Sequence, residues 1–197
     1  MGRQISFGQY RMIDNIFWGI ILAVSEVVII TASSKWFPGQ LYTVSVSAAV
    51  AAIVMMRWGF IAAIHVALAG LVYAGVQGGS PEQYLYYIIG NELGLAALLF
   101  IKAVGRDRIR QNVLLTIAYA LTVQILMQVG RGIVSVVLGS DMGAILNFIT
   151  MDALSELFSI LILTIAARLD GVMEYQKDYL LRVQRETHIE NGDNENG

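Results

Sequence analysis

An arginine stands in the middle of an otherwise apolar stretch, LMQVGRGIVSVVLG, at positions 126–139. Along the same segment, intervals of four, three and four residues separate Gln124, Gln128, Arg131 and Ser135, which places them on one face of a helix. A charged group at the centre of a membrane costs about 2.5–3.5 kcal/mol on insertion scales, so such groups are normally turned inward and are paired or functional. This pattern predicts either an internal ion pair at Arg131 or a polar pocket that holds a ligand.

Acidic and amide side chains recur in the neighbouring apolar segments. Asp152, Ser155, Glu156 and Ser159 share one helical face, and their depth along the chain brings several of these groups toward the level of Arg131. The predicted ligand-binding residues are Arg131, Glu92, Asp152, Asn91, Gln128 and Asn147, with Trp36 and Tyr84 from an aromatic outer rim. Two interpretations of Arg131 stay open: a salt bridge with Glu92 or Asp152 that only fixes helix packing, or contact with a ligand.

Other polar side chains within the segments have structural interpretations beside functional ones. Glu26 is either a proton-linked group or a buried neutral acid, and His65 is predicted to be a hydrogen-bonded packing histidine. The outer tyrosines favour an interfacial belt, with a minority stacking on a ligand. Small residues at helical spacing, Gly19 with Ala23 and Gly59 with Ala63, predict close helix contact or the docking of a partner.

The composition indicates a membrane protein. Of 197 residues, 56% are hydrophobic and only 14% are charged. Cysteine is absent, which excludes disulfides, a thiol nucleophile and a thiolate metal site. The sequence has no HExxH motif and no nucleotide-binding loop, so we expect no enzymatic activity, no cofactor held by this chain and no nucleic-acid partner.

Six apolar segments are predicted to cross the bilayer as helices, because no water is present there to satisfy exposed backbone groups. They cover 16–34, 41–56, 59–76, 84–104, 112–138 and 143–168. Only Arg57 and Trp58 join the second and third, which predicts a tight helical hairpin. The predicted fold class is an all-α membrane protein with six transmembrane helices.

Lysine and arginine give the predicted orientation, because cytoplasmic loops carry their excess. With the N-terminus inside, eleven of the thirteen basic residues are cytoplasmic, Lys35 is outside and Arg131 lies within a span. Both termini are therefore predicted to be cytoplasmic. The predicted organisation is a leader at 1–15, a membrane domain at 16–169 and a tail at 170–197. That tail combines an amphipathic helix, whose apolar face is Val172, Tyr175, Tyr179, Leu180 and Val183, with a disordered end, NGDNENG.

The chain resembles the substrate-binding S components of energy-coupling factor (ECF) vitamin transporters. The resemblance covers most of the chain: its length, the six predicted spans, an aromatic first outer loop (SSKWFPGQLY) and the small-residue-rich AAIVMMRWGFIAAIHVALAGLVYAG. It implies a multi-pass subunit of a bacterial cytoplasmic membrane that binds a vitamin-like ligand from outside and topples to release it inside. It also implies an ATPase pair and a transmembrane T subunit as partners, with ATP used by those subunits. The family docks its T subunit on an Ala-x-x-x-Ala pair, and Gly19 and Ala23 stand at that spacing here.

Acids outnumber the single arginine within the predicted spans, which favours a cationic or amine-bearing ligand with a flat ring that the rim aromatics can stack on. Arg131 could instead bind a carboxylate. Two rival functions remain, a proton-coupled carrier that uses Glu26, His65 and Glu156 as a relay, and a membrane scaffold in which every buried charge is structural. An intramembrane enzyme is disfavoured because the chain has only two histidines, His65 and His188.

Overall fold

The computed structural model describes residues 6–36 and 44–194, with side chains as far as Arg185, and every regular element in these residues is helical. The predicted all-α class is therefore confirmed for the described chain. Residues 37–43, which include Phe37, Pro38 and Tyr42 of the first predicted outer loop, lie outside the described residues.

Ten α-helices and two short 3₁₀-helices follow one another in the described residues. The first five are α1 (Phe7–Trp36), α2 (Ser47–Trp58), α3 (Ala62–Val76), α4 (Pro81–Asn91) and α5 (Ala97–Val104). The next five are α6 (Arg106–Gln111), α7 (Val113–Val137), α8 (Gly143–Met151), α9 (Ala153–Ala166) and α10 (Gln176–Asn194). The 3₁₀-helices, Gly59–Ile61 and Glu92–Ala96, connect α2 to α3 and α4 to α5.

Several helical stretches are long and apolar enough to cross a membrane, which indicates a multi-pass membrane protein. Four meet this condition alone: Phe7–Trp36, Ser47–Val76, Pro81–Val104 and Val113–Val137. The pair α8 and α9 is bent by 50° and adds a fifth if it forms one span. The expected count of six spans is thus not confirmed by length and composition.

The stretch Ser47–Val76 is folded back on itself rather than straight. Leu22 of α1 packs in one small cluster with Val50 of α2 and Ala69 of α3. A straight helix would separate Val50 from Ala69 by about 28 Å. The backbone reverses at Gly59, whose φ of 66° is easily reached only by glycine. Helices α2 and α3 are therefore the limbs of a hairpin at the turn expected from the sequence, but with 12 and 15 residues each limb alone is shorter than a full span.

Helix α2 lies at the centre of the bundle, because all twelve of its residues are buried. Its many alanines, such as Ala48 and Ala52, keep the helix thin enough for neighbours to approach on every side. The Tyr119 hydroxyl of α7 donates a 3.0 Å hydrogen bond to the Ala52 carbonyl, which satisfies a polar group in the middle of the core. The core that surrounds the candidate site is thus built around one small-residue helix.

The beginning of α1 and the chain that precedes α10 meet at one end of the bundle. The Tyr10 hydroxyl donates to Gln176 Oε1 at 2.9 Å. Arg57, at the end of α2, donates to the Gly171 carbonyl at 2.5 Å and pairs with Asp14 at 2.5 Å. The two ends of the described chain therefore share one end of the bundle. That this end is cytoplasmic remains a prediction from the lysine and arginine distribution.

The two terminal regions differ from their sequence predictions. Helix α1 already begins at Phe7, so most of the predicted leader at 1–15 belongs to the first helix. The sequence analysis did not predict a role for Asp14, which the leader assignment placed in solvent. Asp14 pairs with Arg57 and accepts a 2.6 Å hydrogen bond from the Trp58 indole.

Helix α10 begins only after Val172 and Tyr175 of the predicted apolar face. It continues to Asn194, through residues expected to be disordered, and 195–197 lie outside the described residues.

Helices α4 and α7 approach each other through glycine. A Cβ atom built on Gly90 would lie 2.6 Å from Arg131 Cα, and one built on Gly130 would collide with the Gly90 carbonyl. Neither position can hold even an alanine unless the helices separate. This contact is what places the Arg131 side chain against the end of α4.

We predict that Gly130→Ala disrupts the bundle, because its methyl group would overlap the α4 backbone. Overpacking of this kind costs about 1–3 kcal/mol or more. The measurement is the midpoint of thermal unfolding of the detergent-purified chain. Gly75→Ala is the matched control, since that glycine also lies within a helix and its Cβ would meet only the Tyr84 hydroxyl at 3.5 Å. Equal stability of the two variants would contradict the close approach of α4 and α7.

Candidate ligand-binding site

Arg131 lies buried in the second half of α7 and is only 4% exposed. Its Nε donates to Asn91 Oδ1 at 2.5 Å and its Nη1 donates to Asp152 Oδ2 at 2.6 Å. The guanidinium carbon lies 5.2 Å from the centroid of the Tyr87 ring, within cation–π range. The charge of Arg131 is thus neutralised and its flat face covered by side chains of α4 and of the break between α8 and α9.

A break between helices places Asp152 beside Arg131. Asp152 separates α8 from α9 and has non-helical backbone angles, with φ −95° and ψ 11°. An aspartate before a helix usually caps the first backbone N–H groups. Here the Asp152 side chain makes no such cap and pairs with Arg131 instead. The residue at the 50° bend between α8 and α9 is thus the one that neutralises Arg131.

Glu26 of α1 forms the opposite side of the same polar interior. Its side chain is 0% exposed, and Oε2 accepts a 3.0 Å hydrogen bond from the Val46 N–H. The neighbouring Ser45 N–H donates to Ser155 Oγ at 2.9 Å. Residues 44–46, which lead from 37–43 into α2, are therefore held between α1 and α9. Glu26 also lies within electrostatic range of both Arg131 and Asp152.

The amide of Gln128 completes this interior. Gln128 lies one helical turn before Arg131, is 0% exposed, and faces the carboxyl groups of Asp152 and Glu156. Within the described residues, neither its Oε1 nor its Nε2 has a well-formed hydrogen bond. We call the whole set the polar chamber, defined by Glu26, Ser45, Asn91, Gln128, Arg131, Asp152 and Ser155.

Aromatic rings cover the Tyr87 side of the polar chamber. The rings of Tyr73 and Tyr87 lie 4.5 Å apart, and Phe148 of α8 packs edge-on against Tyr86 and Tyr87 at 5.4 and 6.2 Å. The sequence placed these tyrosines in an interfacial belt, but Tyr73 and Tyr87 face inward. A flat ring that enters the chamber would find aromatic surface as well as polar atoms.

Four of the eight residues predicted to bind a ligand come together: Arg131, Asp152, Asn91 and Gln128. Of the two acids predicted as salt-bridge partners of Arg131, the structure pairs it with Asp152. Glu92 follows Asn91 directly and so projects about 100° away around the helix. It is partly buried, and it forms no ion pair with any described residue.

The other predicted residues lie away from the polar chamber. Trp36, at the end of α1, is 76% exposed, and Asn147 of α8 is also exposed. The Tyr84 hydroxyl lies against Gly75 of α3. The assignment of Asn147 rested on depth, and those of Trp36 and Tyr84 rested on an aromatic outer rim, and neither determines the direction in which a side chain points.

Gly19 and Ala23, predicted to dock a partner, line an open groove of about 1080 Å³ between α1 and α3. The groove is mostly apolar.

His65 is one of the residues that line the groove, and its ring nitrogen Nε2 lies 2.9 Å from the Asn15 carbonyl oxygen. The prediction that His65 is a hydrogen-bonded packing histidine is therefore confirmed. Gly59 lies at the hairpin turn and Ala63 lies one turn beyond it, and neither lines the groove.

The described residues contain no cluster of three or more histidine, cysteine, aspartate or glutamate side chains that could hold a metal ion. The chemistry of the polar chamber therefore rests on one guanidinium, two carboxyl groups, two amides and hydroxyl groups. Such a set can bind and orient a polar molecule through hydrogen bonds and charge.

We predict that Asp152→Asn destabilises the protein by about 3–5 kcal/mol, because it leaves the Arg131 charge buried without its partner. Replacing both partners, with Arg131→Met and Asp152→Leu, should cost less than the single substitution. Thermal unfolding in detergent measures both.

Asp170→Asn is the matched control for this prediction. Asp170 forms an exposed pair with Arg182, whose hydrogen bond lowers the pKa of the aspartate. Exposed pairs contribute only about 0–1 kcal/mol, so this change should have little effect. Similar losses at Asp152 and Asp170 would contradict a buried ion pair at Arg131.

Comparisons with protein-family models, with curated proteins and with solved structures found no match to this chain.

Proposed function

We propose that this chain is the membrane-embedded substrate-binding subunit, or S component, of an ECF-type importer. The observation that carries the proposal is the polar chamber, a set of buried charged and amide groups enclosed by apolar helices. Polar groups are costly in such surroundings and are usually retained there for binding or transport. The ligand is a small vitamin-like molecule that is captured from outside and delivered inward.

The position of residues 44–46 supports capture from one side. They form one boundary of the polar chamber and continue directly into 37–43, the first predicted outer loop. A segment in this position can cover a ligand that rests against Glu26 and Asp152. The six crossings and cytoplasmic termini predicted from the sequence belong to this proposal. The contacts between the beginning of α1 and the chain around the start of α10 support termini on one side of the membrane.

The groove between α1 and α3 supports docking of a helical partner. Gly19 and Ala23 line the groove and leave it deep because their side chains are small. Small residues of this kind let two helices approach closely in lipid. The proposed partner is the transmembrane T subunit, which connects this chain to two ATPase subunits. ATP is then used by the partners, and this chain contributes ligand binding.

A proton relay through Glu26, His65 and Glu156 receives less support. Glu26 and Asn15, whose carbonyl contacts His65, are eleven residues apart on α1 and therefore about 16 Å apart along its axis. Leu22, packed against α2 and α3, lies between the two levels. The described residues thus place an apolar layer where a proton-coupled carrier would need a continuous polar path.

The test is co-expression of the tagged chain with ECF ATPase and T subunits, followed by purification in mild detergent. We predict recovery of a four-chain complex, and loss of most of it for Ala23→Leu, whose larger side chain fills the groove. Val24→Leu is the control, because Val24 is 58% exposed and does not line the groove. A folded, monodisperse chain that never recovers its partners would overturn the proposal.

A further inference from the structure

Unpartnered polar atoms mark the part of the polar chamber in which hydrogen-bonding groups are unused. Among the described residues, Glu26 Oε1, Gln128 Oε1 and Gln128 Nε2 are buried and lack a hydrogen-bond partner. Buried polar groups in folded proteins are nearly always hydrogen-bonded. These atoms therefore have unused capacity to accept hydrogen bonds at two positions and to donate them at one.

The charge of Arg131 is already paired within the chain. Its guanidinium already binds Asp152 and Asn91 and lies against Tyr87. A ligand carboxylate or phosphate at the remaining guanidinium N–H groups would lie in an apolar interior beside the Asp152 carboxylate, whose charge already neutralises Arg131. The alternative in which Arg131 binds an anionic ligand is therefore disfavoured by its contacts.

Glu26 has the opposite character. Because Arg131 and Asp152 neutralise each other, Glu26 remains as the acidic group of the polar chamber without a cationic partner among the described residues. The Val46 N–H binds Oε2 and orients the carboxyl group, and the Ser45 side chain lies near the carboxyl group, but Oε1 has no well-formed hydrogen bond among the described residues. A carboxyl oxygen held in this way is a strong acceptor for a cationic N–H group.

We propose that Glu26 is the residue that binds the charged end of the ligand, and that the ligand is a small flat cation with N–H donors, such as an amidinium or a protonated aminoheterocycle. Gln128 supplies neutral hydrogen bonds to the same molecule, and the inward-facing Tyr73 and Tyr87 supply aromatic surface. This proposal shares one assumption with the proposed function, namely that the polar chamber binds a small molecule.

The experiment uses three probes of nearly equal shape: benzamidinium, benzamide and benzoate, which are cationic, neutral and anionic. Each is titrated into the purified full-length chain in detergent, and binding is followed by the shift in unfolding temperature and by calorimetry. We expect benzamidinium to bind most tightly. Preferred binding of benzoate would overturn the proposal, as would equal binding of all three or binding of none.

Glu26→Gln tests the residue itself, because it keeps an acceptor for the Val46 N–H but removes the charge. It should weaken benzamidinium binding about tenfold or more while changing benzamide binding little. Glu82→Gln is the matched control, since it makes the same chemical change on the exposed first turn of α4 and should leave both affinities unchanged. Unchanged benzamidinium binding in Glu26→Gln would assign the charge recognition elsewhere and overturn the proposal. The probe series on the unmodified chain remains decisive even if this variant does not fold.

The result is independent of the partner test. Recovery of the four-chain complex together with benzoate preference would overturn the ligand assignment and leave the proposed function standing. Benzamidinium preference without any partner would overturn the importer assignment and leave Glu26 as the cation contact of a different membrane protein.

Discussion

Neutralisation of one guanidinium in an apolar bundle is the constraint on which the surrounding architecture depends. An unpaired charge at the depth of Arg131 would be strongly destabilising. The protein meets this demand with Asn91 and Tyr87 of α4 and with Asp152, which lies between α8 and α9. The break between α8 and α9 and the glycine contact between α4 and α7 can both be understood as parts of this arrangement. Without them the partners of Arg131 could not reach it.

The ion pair also divides the polar chamber into two functional halves. Around Arg131, the charge is paired with Asp152 and hydrogen bonds are made to Asn91 and Asp152. The side chains in this half are therefore held in fixed positions. Around Glu26 and Gln128, polar atoms remain available in the described residues. In the proposed ligand site, the side chains around Arg131 are already held in place by their contacts within the chain. Side chains fixed in this way lose little conformational entropy when a ligand binds.

Sequence reasoning predicted the parts of this protein that depend on residue type and local spacing. Hydropathy indicated apolar helices long enough to cross a membrane, although the predicted count of six is not confirmed, and the intervals between Gln128 and Arg131 placed both on one inward face. It could not predict which acid pairs with Arg131, because Glu92 and Asp152 have similar depth and differ only in direction. Asp14 was missed because a polar residue near the N-terminus gives no sign that it will meet Arg57 across the bundle. The glycine contacts were missed for the same reason, since close approach between distant helices leaves no local pattern.

The carboxyl group of Glu26 holds the backbone that leads into α2 with one oxygen, and its other oxygen faces the interior. One side chain thus fixes both the lining of the site and the path of the chain that borders it. In the proposed ligand site, a substitution at Glu26 would therefore alter the contact with the ligand and the position of residues 44–46 together. At Gln128, by contrast, no well-formed hydrogen bond holds a backbone group, so a substitution there would alter the proposed ligand contact alone.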